Sequence, residues 1–249
     1  MKSARPRIGL SMDTSAPDEY RKVYELAADY AHALLNAGAL PVPLAHTADA
    51  ALRREIIGTL DGLLIPGGGD INPTLWNEPP HPAIHLMDPG RQNFDLAMLG
   101  LADELDIPTL GICLGCQLMN VQRGGSLYQS IASAFPESPV RHCWVKDPVN
   151  LNSSFHEVSL RPGTHLAGIY NELEIRTNSR HRQAVHELGR DLVASAFAPD
   201  GILEALEDHH RRLWIGVQWH PENLAGELPH SRLFEAFVAA AREFGARES

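Results

Sequence analysis

The sequence is short of cysteine, of lysine and of long apolar runs, and each shortage removes a class of protein. Three cysteines among 249 residues, Cys113, Cys116 and Cys143, are too few and odd in number for the disulfide framework of a secreted scaffold. No apolar run approaches the roughly 18 to 20 residues that a membrane-spanning helix requires. Met1-Lys2-Ser3-Ala4-Arg5-Pro6 leads into a strand pattern instead of the apolar core of a signal peptide, so a cytoplasmic location is expected. Basic charge is scarce too: 21 Lys plus Arg stand against 31 Asp plus Glu, a formal net charge of −10. That balance disfavours nucleic acid, whose phosphates need a basic face, and anionic membranes. Lysine occurs only as Lys2, Lys22 and Lys146, so a carboxylate clamp is expected to be guanidinium. No Gly/Ser linker, repeat or low-complexity tract interrupts the chain, and one domain over residues 1–249 is the simplest organisation.

What is present is an ordinary globular composition, 44% hydrophobic and 21% charged, with alternating periodicities. Residues 7–12 read as a strand. Val23, Leu26, Ala27, Tyr30, Ala31 and Leu34 then recur at helical spacing, and Gly38 closes that helix. A strand over 40–44, a helix over 50–60 and the apolar run Gly62-Leu63-Leu64-Ile65 follow. A helix over 91–104 and a strand over 108–112 continue the alternation. This order predicts an α/β fold, a parallel-core sheet with helices on both faces. The second half is strand-rich, with strands expected at 156–160, 173–177, 192–197, 202–206 and 213–219 before a last helix over 231–244. Residues 66–90 break the pattern. They hold Gly67-Gly68-Gly69 and then Pro73, Pro79, Pro80, Pro82 and Pro89, a long irregular loop of the functional kind, expected to lid a pocket. Ligands in such folds sit outside the carboxyl ends of the parallel strands.

At one of those ends stands Gly111-Ile112-Cys113-Leu114-Gly115, a G-x-C-x-G at a strand-to-helix junction. Glycines on both sides suit a sharp turn that lifts the nucleophile above the sheet edge. A helix beginning beside the sulfur favours its thiolate, and the Leu114 N–H is placed to bind an oxyanion. Cys113 as a small buried core residue is the competing reading. Gly216-Val217-Gln218-Trp219-His220-Pro221-Glu222 shifts the balance. A cysteine nucleophile needs a base and a group that orients the base, and residues two apart in an extended chain, such as His220 and Glu222, face the same way. Two other cysteine readings are weaker. Cys113-Leu114-Gly115-Cys116 as a redox pair leaves His220 and Glu222 without a role, although a regulatory disulfide stays open. A zinc site from Cys113, Cys116, His142 and Cys143 makes the two glycines pointless. No metal and no cofactor is therefore expected.

The elbow and Trp219-His220-Pro221-Glu222 together resemble the class I glutamine amidotransferase-like superfamily, a flavodoxin-like three-layer fold with a Cys-His-Glu triad. Within it, Ile65-Pro66-Gly67-Gly68-Gly69-Asp70-Ile71-Asn72-Pro73 resembles the γ-glutamyl-γ-aminobutyrate hydrolase branch. So do Gly124-Gly125-Ser126-Leu127-Tyr128-Gln129, Asn178-Ser179-Arg180-His181-Arg182-Gln183-Ala184-Val185 and Asp200-Gly201-Ile202-Leu203-Glu204-Ala205. The resemblance implies hydrolysis of a small γ-glutamyl amide in polyamine catabolism. Cys113 would form a thioester, with His220 as base and then acid and Glu222 orienting it. It further implies an oxyanion hole from the backbone of Gly68, Gly69 and Leu114, and substrate contacts from Gln117, Arg91, His181 and Gln183. For these last, a helix-surface or core role is an open alternative. Three positions depart from the branch pattern: Leu114 stands where Arg is common, Gln92 where Asp is common, and Arg182 where a second His is common. Leu114 favours the alternative of a glutaminase subunit that passes ammonia to a synthase partner. A homodimer is left open.

Overall fold

The computed structural model describes residues 5–18, 20–142 and 154–247, so a zinc set that includes Cys143 lies outside the described residues. The chain opens with β1 (Arg7–Ser11), and β2 (Asp13–Asp18) pairs with β3 (Arg21–Glu25) in an antiparallel hairpin. The hairpin replaces the first turns of the helix expected from Val23; α1 runs only over Ala28–Asn36. Val23 fits the helical spacing, but Val23 and its neighbour Tyr24 are both residue types that favour strands. Tyr24 also packs edge-on against His46, and its hydroxyl accepts from the His46 N–H at 3.1 Å. Beyond this point the alternation is as expected: β4 (Leu40–Leu44), α2 (Ala50–Ile57), β5 (Gly62–Ile65), α3 (Pro89–Glu104), β6 (Thr109–Ile112) and α4 (Leu114–Gln122).

A short ribbon and helix come next, β7 (Leu127–Tyr128) and α5 (Ile131–Ala134). The second half then supplies β8 (Ser154–Leu160), α6 (His165–Tyr170), β9 (Glu174–Ser179) and β10 (Ala184–Val185). It closes with β11 (Val193–Phe197), β12 (Leu203–Glu207), β13 (Trp214–Val217) and α7 (His230–Gly245). Nine strands form one sheet in the order β4-β1-β5-β6-β13-β12-β11-β8-β9. The first five are mutually parallel and the last four antiparallel. The fold is therefore the expected parallel-core sheet, extended on one side by the strand-rich second half.

Strands β5, β6 and β13 are buried along their whole length, as parallel strands covered on both faces must be. Their side chains alternate between two cores. Leu64, Leu110, Ile112, Ile215 and Val217 join Leu34 of α1 and Phe234 and Phe237 of α7 on one face. Leu63, Ile65 and Trp214 join Ile57, Phe94, Met98, Leu118 and Met119 from α2, α3 and α4 on the other.

Helix α6 was not expected. Its first N–H groups are held from far away: Glu207 of β12 is fully buried and accepts from His165 N at 2.6 Å and Leu166 N at 3.1 Å. Thr164 caps the same end by accepting from Ala167 N. A carboxylate at a helix N-terminus meets orphan donors and the positive end of the helix dipole. Glu207→Ala strips both donors of their acceptor inside the protein. Denaturant unfolding is expected to show a loss of about 3 kcal/mol, whereas a loss within experimental error would contradict this account of α6.

Candidate active site

Strand β6 ends at Ile112 and α4 begins at Leu114, so the whole turn falls on Cys113, with φ 53° and ψ −101°. Positive φ is unfavourable for a residue with a Cβ and marks a strained elbow. The turn depends on missing side chains. A Cβ on Gly115 would lie 2.1 Å from the Ile65 carbonyl oxygen, and one on Gly111 would lie 2.6 Å from the Gly115 carbonyl carbon. The Cys113 N–H donates to Val217 O at 2.8 Å, tying the elbow to β13. Because β6 and β13 pair in register, Gly111 opposite Gly216 and Ile112 opposite Val217, the chain leaving β13 carries His220 to the same sheet edge.

Asn178 fixes the His220 backbone from both sides: its Oδ1 accepts from His220 N at 2.8 Å and its Nδ2 donates to His220 O at 2.9 Å. His220 Nδ1 lies 2.7 Å from Glu222 Oε1, and all three of Cys113, His220 and Glu222 are buried. The carboxylate accepts the Nδ1 proton, which leaves Nε2 as the nitrogen for the sulfur. Burial alone would depress the His220 pKa. The charge of the Cys113 sulfur, hydrogen bonds to Cys113 and Glu222, and the Glu222 carboxylate together raise it to about 9. Tyr30 completes the pocket behind the imidazole, with its hydroxyl 3.5 Å from Nδ1 and accepting the Gly67 N–H at 3.0 Å. Sequence reasoning missed both Tyr30 and Asn178. Tyr30 was legible only as a core position, and Asn178 sits in a motif that pointed to its neighbours.

Gly68, Gly69, Asp70, His85, Cys113, Gln117, Arg180, His181, Arg182 and Gln183 enclose a cavity of about 310 Å³. The Gly67 N–H is committed to Tyr30, while Leu114 N–H, at the first position of α4, has no acceptor within its helix. A Cβ on Gly68 would collide with Leu114 Cδ2 and the Arg91 guanidinium, so a side chain there would have to displace one of these two buried groups. The Pro66–Gly90 segment supplies one wall of the cavity and is tied down. Gln183 pairs its amide with Ile71, accepting from Ile71 N at 2.7 Å and donating to Ile71 O at 3.3 Å. Arg182 Nη1 reaches Asp70 Oδ2 at 2.6 Å, Gln92 Oε1 accepts from Asn72 N, and Gln129 Oε1 accepts from His81 N.

Cys113, Gln117, His181 and Gln183 thus share one cavity, with Gln117 Nε2 donating to Gln183 O at 2.8 Å and to Gln218 Oε1 at 3.0 Å. Arg91 does not reach it. Fully buried behind the glycine loop, its guanidinium donates to Pro66 O and Gly67 O and pairs with Asp95 and Asp13. The guanidinium groups that do line the cavity are Arg180, 3.7 Å from Glu222 Oε1, and Arg182. Cys113 and Cys116 are both free thiols. Cys116 is fully buried against Gly216, and burial raises its thiol well above the usual range, unlike the exposed, acidic thiol of a redox pair.

A model of the peptidase C26 family matches residues 6–222. The chain belongs to this family. It is 38% identical over 207 residues to protein NtpR of Enterococcus hirae, covering 80% of each chain. It is 32% identical over 225 residues to the γ-glutamyl-γ-aminobutyrate hydrolase PuuD of Escherichia coli, covering 86% of this chain and 85% of that one. The glutaminase domain of Trypanosoma brucei CTPS shares the fold, with a TM-score of 0.62 at 19% identity over 96% of this chain and 94% of that one. The peptidase C26 protein is thus a hydrolase of the glutamine amidotransferase-like kind. Among the described residues no helix is long and apolar enough to cross a membrane.

Two outcomes follow from this geometry. Gly115→Ala must displace β5 or α4, and thermal denaturation is expected to register a cost of about 2–4 kcal/mol; an unchanged Tm would contradict the elbow packing. The raised pKa of His220 stabilises the fold fully below its ordinary value of 6.5, and that contribution fades as pH rises through about 9. The stability gap between wild type and His220→Asn should therefore be widest near pH 6 and smallest above pH 9 or so. A gap that does not change with pH in denaturant titrations would contradict it.

Proposed function

We propose that this peptidase C26 protein hydrolyses the γ-glutamyl amide bond of a small γ-glutamyl compound, such as γ-glutamyl-γ-aminobutyrate, through a thioester on Cys113. The observation that carries the reading is the buried His220, held between the elbow cysteine and the Glu222 carboxylate at 2.7 Å. The Cys113 sulfur attacks the amide carbonyl carbon, and the proton it gives up rests on His220. His220 delivers that proton to the departing nitrogen, so the C–N bond breaks and an amine leaves. A water molecule then gives a proton to His220 and attacks the thioester carbon; the C–S bond breaks, glutamate leaves and the sulfur recovers its proton. Glu222 keeps the imidazole in one tautomer throughout.

The oxyanion of each step is met by the N–H of Leu114 and by one from Gly68 or Gly69, all preorganised backbone donors. Arg180 and Arg182, at the cavity, are the cations we assign to the substrate's carboxylate, a bidentate task that guanidinium performs better than ammonium. Gln117 and Gln183 shape the floor, and His181 lines the same wall. Arg91 acts at one remove, holding the carbonyls of Pro66 and Gly67 so that the next N–H groups face the cavity. Two free cysteines suit a reducing compartment, and we place the activity in the cytoplasm.

Glutamate release from γ-glutamyl-γ-aminobutyrate, glutamine and a panel of γ-glutamyl amines tests the reading. The wild-type chain alone should turn over a γ-glutamyl amine briskly. Cys113→Ala should fall by roughly 10³-fold or more, and full activity in that variant would overturn the proposal. Slow turnover confined to glutamine would favour the glutaminase-subunit alternative, for which Leu114 is the support. Leu114, however, is buried against Gly68, a packing role that either activity accommodates.

A further inference from the structure

The antiparallel half of the sheet contains a second polar cluster that the proposed hydrolysis does not use. Glu204 of β12 is fully buried, and three histidines from separate parts of the chain converge on one of its oxygens. His142 Nδ1, His156 Nε2 and His181 Nε2 lie 3.2, 3.6 and 3.5 Å from Oε1, with histidine side chains only 1%, 7% and 1% exposed. One ligand atom from each of His142, His181 and Glu204 lies within 4.8 Å of the others.

The opposite ring nitrogens decide what the cluster is. His142 Nε2 lies 2.9 Å from Asp200 Oδ2, His156 Nδ1 lies 3.0 Å from Glu157 O, and His181 Nδ1 lies 3.0 Å from Gln183 O. All three partners are acceptors only, so each of these outer nitrogens carries the proton. In neutral His142 and His156 the other nitrogen is then a lone pair. These lone pairs face a carboxylate, which also offers nothing but lone pairs. His142 Nδ1, His156 Nε2 and both Glu204 oxygens are buried without a hydrogen bond among the described residues. Lone pairs crowded on one carboxylate oxygen repel one another unless a metal ion or protons lie between them.

The spacing suits a metal. In a tetrahedron with metal–ligand bonds of about 2.0–2.1 Å, neighbouring donors are about 3.3–3.4 Å apart, close to the 3.2 and 3.5 Å that separate His142 and His181 from Glu204. The outer hydrogen bonds to a carboxylate and to backbone carbonyls are the supports that orient metal-bound histidines and raise their basicity. Asp200 is itself held, accepting from Ser138 Oγ at 2.6 Å. We propose that His142, His181 and Glu204 bind one divalent transition-metal ion, with zinc the best match to two imidazoles and a carboxylate. The ion ties β12 to the segment that follows β9 and fixes His181 in the wall of the cavity beside Cys113. This inference does not rest on the proposed hydrolysis. Sequence reasoning weighed only a zinc set of Cys113, Cys116, His142 and Cys143 and expected no metal; the three ligands here are spread over residues 142 to 204 without a ligand-spacing signature.

Metal analysis of the purified full chain, then chelator-stripped protein titrated with zinc chloride and with cobalt chloride, tests it. One equivalent of zinc should bind per chain, raise the Tm of the stripped protein by several degrees, and be replaceable by cobalt with the strong visible absorption of a tetrahedral site. Glu204→Gln and His142→Ala should each abolish stoichiometric binding and the cobalt spectrum, while Cys113→Ala keeps both. The wild-type cobalt spectrum is decisive even if a ligand variant fails to fold. Stripped wild type that takes up neither metal would overturn the proposal and make the cluster a Glu204 carboxylate compensated by protonated histidines. Binding that survives in folded Glu204→Gln and His142→Ala, or that is lost in Cys113→Ala, would overturn it as well.

Discussion

The in-register pairing of β6 with β13 is the constraint on which the rest of the site depends. It sets Ile112 opposite Val217 and ties the Cys113 N–H to the Val217 carbonyl. The two segments that leave these strands therefore emerge side by side at one sheet edge. One turns at once through a strained, positive-φ residue into α4; the other runs on to His220 and Glu222. The residues between β13 and His220, Gln218 and Trp219, are fully buried. The elbow persists because its surroundings over-determine it, with β5 packed so close that Gly115 has no space for a methyl group.

The glycine loop is held with comparable care, although it is the least regular stretch of the first half. Arg91 grips its carbonyls from behind, Gln183 and Arg182 pair with it from the second half, and Gln92 and Gln129 fasten the remainder. A loop pinned by five side chains is a preformed wall and not a free lid. The overall charge of −10 does not describe the cavity, where Arg180 and Arg182 stand beside Asp70.

Much of this was legible in the sequence because the constraints are local. The buried runs of β5 and β6 and the G-x-C-x-G turn each follow from stereochemistry within a few residues; His220 and Glu222 were legible as a pair, but a 3-10 turn over Pro221–Asn223, and not an extended chain, brings them together. The illegible parts are those decided by distant partners. The β2–β3 hairpin hides within an apolar spacing that also fits a helix. Helix α6 takes its cap from Glu207, over forty residues away. Arg91 looked like a substrate clamp by residue type, yet three-dimensional packing turns it toward the loop backbone and two aspartates. His142, His156 and His181 carry no mutual spacing, and only the antiparallel strands gather them around Glu204.

The central claim is that Cys113 carries the glutamyl group covalently. Rapid-quench intact-protein and peptide mass spectrometry of the wild-type chain turning over a γ-glutamyl amine tests it most directly. A glutamyl adduct on the peptide containing Cys113, formed within the first turnover and cleared as substrate is exhausted, is the predicted result. Turnover with that peptide unmodified at every time point, or with the adduct on Cys116 instead, would contradict the account.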